Sequence, residues 1–161
     1  MPNPLVVDAW PLILLAKAGW LKLLSIAGDP VHVPEPVVKE IQQAVPGDPM
    51  VQALAATSWL ITVDPGPVHG SLRSVRLGAG EQAVLTWALL NPGTEAVIDD
   101  PAARRCALKL GIPHFGCLGL VIHARQQGVI PAARPVLAHL RRVGLRLSDR
   151  LMDATLAQIG E

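Results

Sequence analysis

The sequence is short of aromatic residues, cysteine and long apolar runs, and each shortage removes a class of function. It holds four Trp, one Phe and no Tyr in 161 residues. A row of stacked rings for single-stranded nucleic acid needs more than that. Two cysteines, Cys106 and Cys117, are too few for a disulfide framework or a zinc site and fit a reducing compartment. The richest apolar run, Ala9 to Ala16, is bracketed by Asp8 and Lys17, well short of the ~20 residues of a membrane span. No Lys or Arg precedes it, which makes it a poor secretory signal. The expected location is cytoplasmic, with no membrane partner. Half of the residues are hydrophobic and only 17% are charged, so the composition is not that of a disordered chain. The length suits one domain over residues 1–161 with a full core.

Charge is scarce overall but unevenly placed. Residues 1–99 hold five Lys/Arg against nine Asp/Glu, a charge of −4, and residues 100–161 hold nine against four, a charge of +5. The basic part is rich in Arg: Arg104, Arg105, Arg125, Arg134, Arg141, Arg142, Arg146 and Arg150. Arg suits bidentate phosphate contacts, although clustering along a chain need not be clustering in space.

Apolar runs alternate with helical patterns. Strands are expected at Leu5–Val7, Val31–Val33, Trp59–Val63, Ala96–Ile98 and, weakly, His114–Phe115. One helix is expected from Pro11 to about Ile26 and others near 34–41, 50–56, 79–90, 101–110, 118–127, 132–143 and 149–159, with Pro- and Gly-rich turns between. This alternation implies a parallel sheet covered on both faces, with a site beyond the carboxyl ends of its strands.

Five acids lie where such a sheet would gather them. Asp8 ends the run Leu5-Val6-Val7, and Asp99 and Asp100 end Ala96-Val97-Ile98. Glu40 lies in a short helical stretch, and Glu81 follows Gly78-Ala79-Gly80 at the start of a longer one. Gathered carboxylates cannot all stay ionised unless something positive joins them. Oxygen ligands suit a hard divalent cation such as Mg²⁺, and bound Mg²⁺ suits phosphoryl chemistry. Each acid also has a plainer reading: Asp8 as a helix cap, Glu40 as a solvated charge, Glu81 as a partner of its helix's positive end, and Asp100 as an i, i+4 partner of Arg104. The Gly-x-Gly before Glu81 is no phosphate loop, because the Lys-Ser/Thr ending is missing. The five histidines form no i, i+4 pair and read as structural or surface.

In this order the pieces resemble the PIN-domain proteins, in particular the small bacterial group related to toxins of type II toxin–antitoxin pairs. They are Val6-Val7-Asp8; Val33-Pro34-Glu35-Pro36-Val37-Val38-Lys39-Glu40-Ile41; Gly78-Ala79-Gly80-Glu81-Gln82-Ala83; Ile98-Asp99-Asp100-Pro101-Ala102-Ala103-Arg104; Leu110-Gly111; and Gly116-Cys117-Leu118-Gly119. The resemblance implies a three-layer α/β/α sandwich on a five-stranded parallel sheet of order 3-2-1-4-5. It implies an endoribonuclease dependent on Mg²⁺ or Mn²⁺, with RNA as substrate, an antitoxin protein as partner and a homodimer as assembly. Its catalytic and metal-binding set maps onto Asp8, Glu40, Glu81 and one of Asp99 and Asp100, the following Asp-x-Ala-x-Arg run favouring Asp100. Ala9 stands where the family often has Thr or Ser, and Cys117 where it often has Thr. A catalytically weak PIN-like binding module is therefore the alternative. A phosphate-binding doubly wound domain ranks below both for want of a glycine-rich loop. For a dimer interface, the late helices and Pro11–Leu24 are the candidate surfaces.

Overall fold

The computed structural model describes residues 2–161, with the side chains of Met50 and Val51 outside the description. Met1 of the expected domain therefore lies outside the described residues. Strands β1 (Leu5–Val7), β2 (Val31–Pro34), β3 (Leu60–Val63), β4 (Glu95–Val97) and β5 (His114–Phe115) form a parallel sheet in the order β3-β2-β1-β4-β5. Helices α1 (Ala9–Ala18) and α2 (Leu23–Ala27) link β1 to β2, and α3 (Glu35–Ala44) and α4 (Pro49–Ala56) link β2 to β3. Helix α5 (Ala79–Leu90) leads to β4 and α6 (Pro101–Lys109) to β5. Helices α7 (Cys117–Gln126), α8 (Arg134–Val143) and α9 (Asp149–Gln158) follow. The expected PIN-like sandwich and strand order are those observed.

Central strand β1 is apolar at every position because helices cover both faces of the sheet; Leu5, Val6 and Val7 are fully buried. Edge strand β3 instead leaves Ile61 exposed. Amphipathic α8 turns Val136, Leu137 and Leu140 inward, packing on α1, and leaves Arg142 exposed.

Two expectations are corrected. The single helix from Pro11 to Ile26 is two, because the chain leaves α1 at Gly19 in the left-handed region (φ 75°), where its N–H closes on Leu15 and Ala16 carbonyls. The stretch Pro11–Leu24, expected as interface, has Leu12, Leu14, Leu15, Leu23 and Leu24 buried within the chain, where α1 packs on α3 and α8, and α2 on α7. A short 3-10 turn at Gly70–Leu72, burying Leu72, was not evident in the sequence.

Strand order reverses between β1 and β4, which pair with Val7 beside Val97. The Asp8 N–H donates to the Val97 carbonyl at 3.1 Å. The carboxyl ends of the two strands therefore open side by side at the crevice where α/β sheets bind ligands.

Candidate active site

Asp8 is the first residue beyond β1 and occupies the N-cap position of α1, yet its side chain makes no capping hydrogen bond. It is buried, and its Oδ1 has no hydrogen-bond partner among the described residues. A carboxylate there for capping would be satisfied by the helix amides. Left orphaned, it is costly unless something else meets it. Burial pushes its pKa from 3.8 up to about 7, opposed by the Ala9 N–H and assisted by the charges of Glu81, Glu40 and Asp100.

Those three acids come from three other elements. Glu40, on α3, accepts the Gly80 N–H at 2.9 Å, and Glu81, in the first turn of α5, accepts the Gly78 N–H at 3.1 Å. Both are half-buried, which excludes the solvated reading of Glu40. Burial raises the Glu81 pKa; the Gly78 N–H opposes it, and Asp100 and Glu40 add to it. A Cβ at Gly80 would stand 2.7–2.9 Å from the Glu40 carboxylate atoms. The Gly-x-Gly run is thus a place of close approach between α5 and α3. The Oδ2 of Asp100 accepts the Ala103 N–H at 2.9 Å, capping α6.

The neighbouring acids Asp99 and Asp100 do different things. Asp99 turns to the start of α7, where its Oδ1 accepts the Cys117 N–H at 2.9 Å. A Cβ at Gly116 would collide with that same oxygen. The Cys117 thiol, buried and beside Asp99, is pushed well above its ordinary pKa. Asp100, not Asp99, is the member whose charge acts on Asp8 and Glu81. The structure thus brings Asp8, Glu40, Glu81 and Asp100 into one electrostatic group and sets Asp99 at its margin, with its Oδ2 buried and unpartnered among the described residues.

Asp8, Glu81, Asp99 and Asp100, but not Glu40, line a cleft of about 530 Å³, together with Trp10, Arg104 and Arg146. Arg104, expected to pair with Asp100, is exposed and makes no ion pair among the described residues. Arg146 arrives from the turn after α8. Trp10 was not evident as a site residue, although it stands two residues from Asp8. Arg146 was one of eight arginines suited to phosphate, and nothing local singles it out among them.

The donor set is all oxygen, as a hard divalent cation requires, and the orphaned Asp8 Oδ1 is a buried acceptor directed to no protein donor. The residues fit such an ion in chemistry. Among the described residues, no group of three His, Cys, Asp or Glu side chains already closes on one point, so ion binding entails side-chain movement.

A family model described as "DUF3368: PIN domain" matches residues 4–161. No curated protein matches the chain.

Proposed function

Since the chain belongs to the PIN-domain family, a nuclease-type superfamily, we propose that it is an endoribonuclease dependent on Mg²⁺ or Mn²⁺, and that residues 1–161 act as one domain. The observation that carries this reading is the buried Asp8 carboxylate, whose Oδ1 has no hydrogen-bond partner among the described residues and on which the charges of Glu81, Glu40 and Asp100 act. Asp8, Glu40, Glu81 and Asp100 would hold the ion, with Asp99 available at the margin. Once bound, the ion would supply charge neutralisation at the phosphodiester and a water of lowered pKa.

The protein's own contribution is positioning. Glu40 and Glu81 are tethered by the backbone amides of α5, and Asp100 by α6, so three acids are aimed before substrate arrives. Asp8, with its raised pKa, is ready to give up a proton when a cation joins it. Arg104 and Arg146, which line the same cleft as the acids, would grip the substrate phosphates flanking the cut.

Thermal unfolding in EDTA against about 5 mM Mn²⁺, above the affinity range of many oxygen-ligand sites, tests the ion. A rise in Tm that vanishes in Asp8→Asn supports the reading. No shift would favour the binding-module alternative, for which buried Ala9, with no hydroxyl beside Asp8, is the specific observation. The proposed biological setting is a cytoplasmic toxin–antitoxin pair, and it rests on the sequence resemblance. Expression in a bacterial host should arrest growth, and the product of the adjoining gene should relieve it. A homodimer is part of the same proposal and is read by light scattering.

A further inference from the structure

Trp10 is the feature that the nuclease reading leaves unused. It is 43% exposed, whereas Trp20, Trp59 and Trp87 are partly buried against the core. A large apolar ring left open needs a reason when it lines a polar cleft. The edge of its six-membered ring lies beside the turn after α8: a Cβ at Gly144 would stand 3.3 Å from Trp10 Cη2 and Cζ2. The ring is thus held at one edge by Gly144 and lines the cleft that holds Asp8, Asp100, Arg104 and Arg146.

The two guanidiniums complete the pattern. Arg125, Arg134 and Arg141 are paired to Glu161, Asp153 and Asp149. Arg104 and Arg146, by contrast, make no ion pair among the described residues and share the Trp10 cleft. A flat ring, two available cations and a carboxylate cluster in about 530 Å³ match the parts of one nucleotide unit: a base for the ring, phosphates for the cations. A base inside a duplex is stacked on both faces and cannot lie on a side chain, so the occupant must be single-stranded or locally melted.

We infer that Trp10 is a stacking platform for the base flanking the cleaved phosphate. The inference rests on the nuclease reading for the position of the cut, not for the existence of the subsite. One platform, unlike a row of rings, holds one base and leaves the rest of the strand to phosphate contacts.

The test is binding of a labelled single-stranded RNA of about eight nucleotides and of its duplex, with Ca²⁺ in place of Mg²⁺, to wild type, Trp10→Ala, Trp10→Phe and Arg146→Ala. Trp10→Ala should lose roughly five- to hundredfold in single-strand affinity, the range for one base on one ring, while keeping the wild-type salt slope. Trp10→Phe should recover most of the affinity, which separates stacking from any loss of fold. Arg146→Ala should lower the salt slope by about one. Binding of the strand should quench wild-type tryptophan fluorescence, and Trp10→Phe should remove that quenching. Trp10→Ala within twofold of wild type, or equal affinity for duplex and single strand, would overturn the inference, and so would wild type that binds no strand. Cleavage with Mn²⁺ is scored separately. Wild type that binds and quenches but never cuts would sink the nuclease reading and leave the stacking site standing. Cutting unchanged by Trp10→Ala would do the reverse.

Discussion

The acidic crevice and the basic last third of the chain are opposites in how sequence maps onto space. The four acids at the crevice are far apart along the chain, at residues 8, 40, 81 and 100, yet their charges act on one another. The arginines of the last third are close along the chain, yet they disperse. Arg125 and Arg134 pair with Glu161 and Asp153, and Arg141 pairs with Asp149 at 2.7 Å. Arg146 is the one from the segment after residue 105 that lines the cleft. Proximity in sequence produced a solvated surface on which three arginines are ion-paired; acids from two strand ends and two helices produced a site. The parallel sheet delivers Asp8 and Asp100 to one edge, and α3 and α5 carry Glu40 and Glu81 to it.

The comparison breaks most sharply at Asp8. Asp8→Asn keeps the shape and removes a buried charge, so cleavage should fall at least about a thousandfold with the fold intact, a loss of roughly 4 kcal/mol or more in transition-state stabilisation. Single-turnover cleavage of RNA and a melting curve read both effects. Cleavage at the wild-type rate would remove Asp8 from the mechanism.

The next effect is on stability and has a definite sign. The folded-state pKa of Asp8, about 7, exceeds its ordinary 3.8, so the native state holds more protons between those values. Stability that Asp8 lends below about pH 4 is lost as pH rises through 7. Metal-free wild type should therefore fall behind Asp8→Asn across this window, by up to about 4 kcal/mol at the top of it. Denaturant midpoints in EDTA at several pH values check this, and Mn²⁺ should narrow the gap. Parallel pH profiles for the two proteins would show that the Asp8 environment is not the one described.

A smaller effect is expected at Gly80→Ala. Ala is the better helix former, and Gly80 lies in the first turn of α5, so helix propensity predicts a gain. The added methyl instead meets the Glu40 carboxylate at under 3 Å. Turnover should drop about ten- to hundredfold, the scale of a catalytic group displaced by around 1 Å, with RNA affinity nearly unchanged. Unaltered turnover would mean that Glu40 needs no fixed place.

The smallest effect separates the two kinds of arginine. Arg141→Ala breaks an exposed ion pair and should change stability by no more than about 1 kcal/mol and RNA affinity not at all. Arg146→Ala should weaken RNA binding several-fold and flatten its salt dependence. If Arg141→Ala weakened binding more, the RNA path would run along α8, not through the cleft.

Strand positions, the Asp8 strand end and the stop signals at Gly and Pro were legible in the sequence because each depends on neighbours a few residues away. The break at Gly19 was obscured by apolar spacing that runs on past it through Leu23. Of Asp99 and Asp100, the Asp-x-Ala-x-Arg run favoured Asp100, the acid whose charge acts on Asp8. Both follow β4, and the choice is made by the Ala103 and Cys117 amides on two different helices.

Sequence alone determined the layered parallel architecture and the five candidate acids, since apolar runs, helical spacing and strand-end carboxylates are local properties written in residue order. Tertiary structure alone decided that Asp8 is buried with its Oδ1 unpartnered among the described residues, that Gly80 must lack a side chain for Glu40 to stand where it does, and that Trp10 and Arg146 share a cleft. Those facts arise from contacts across tens of residues, where burial and close approach are set by how helices pack on the sheet.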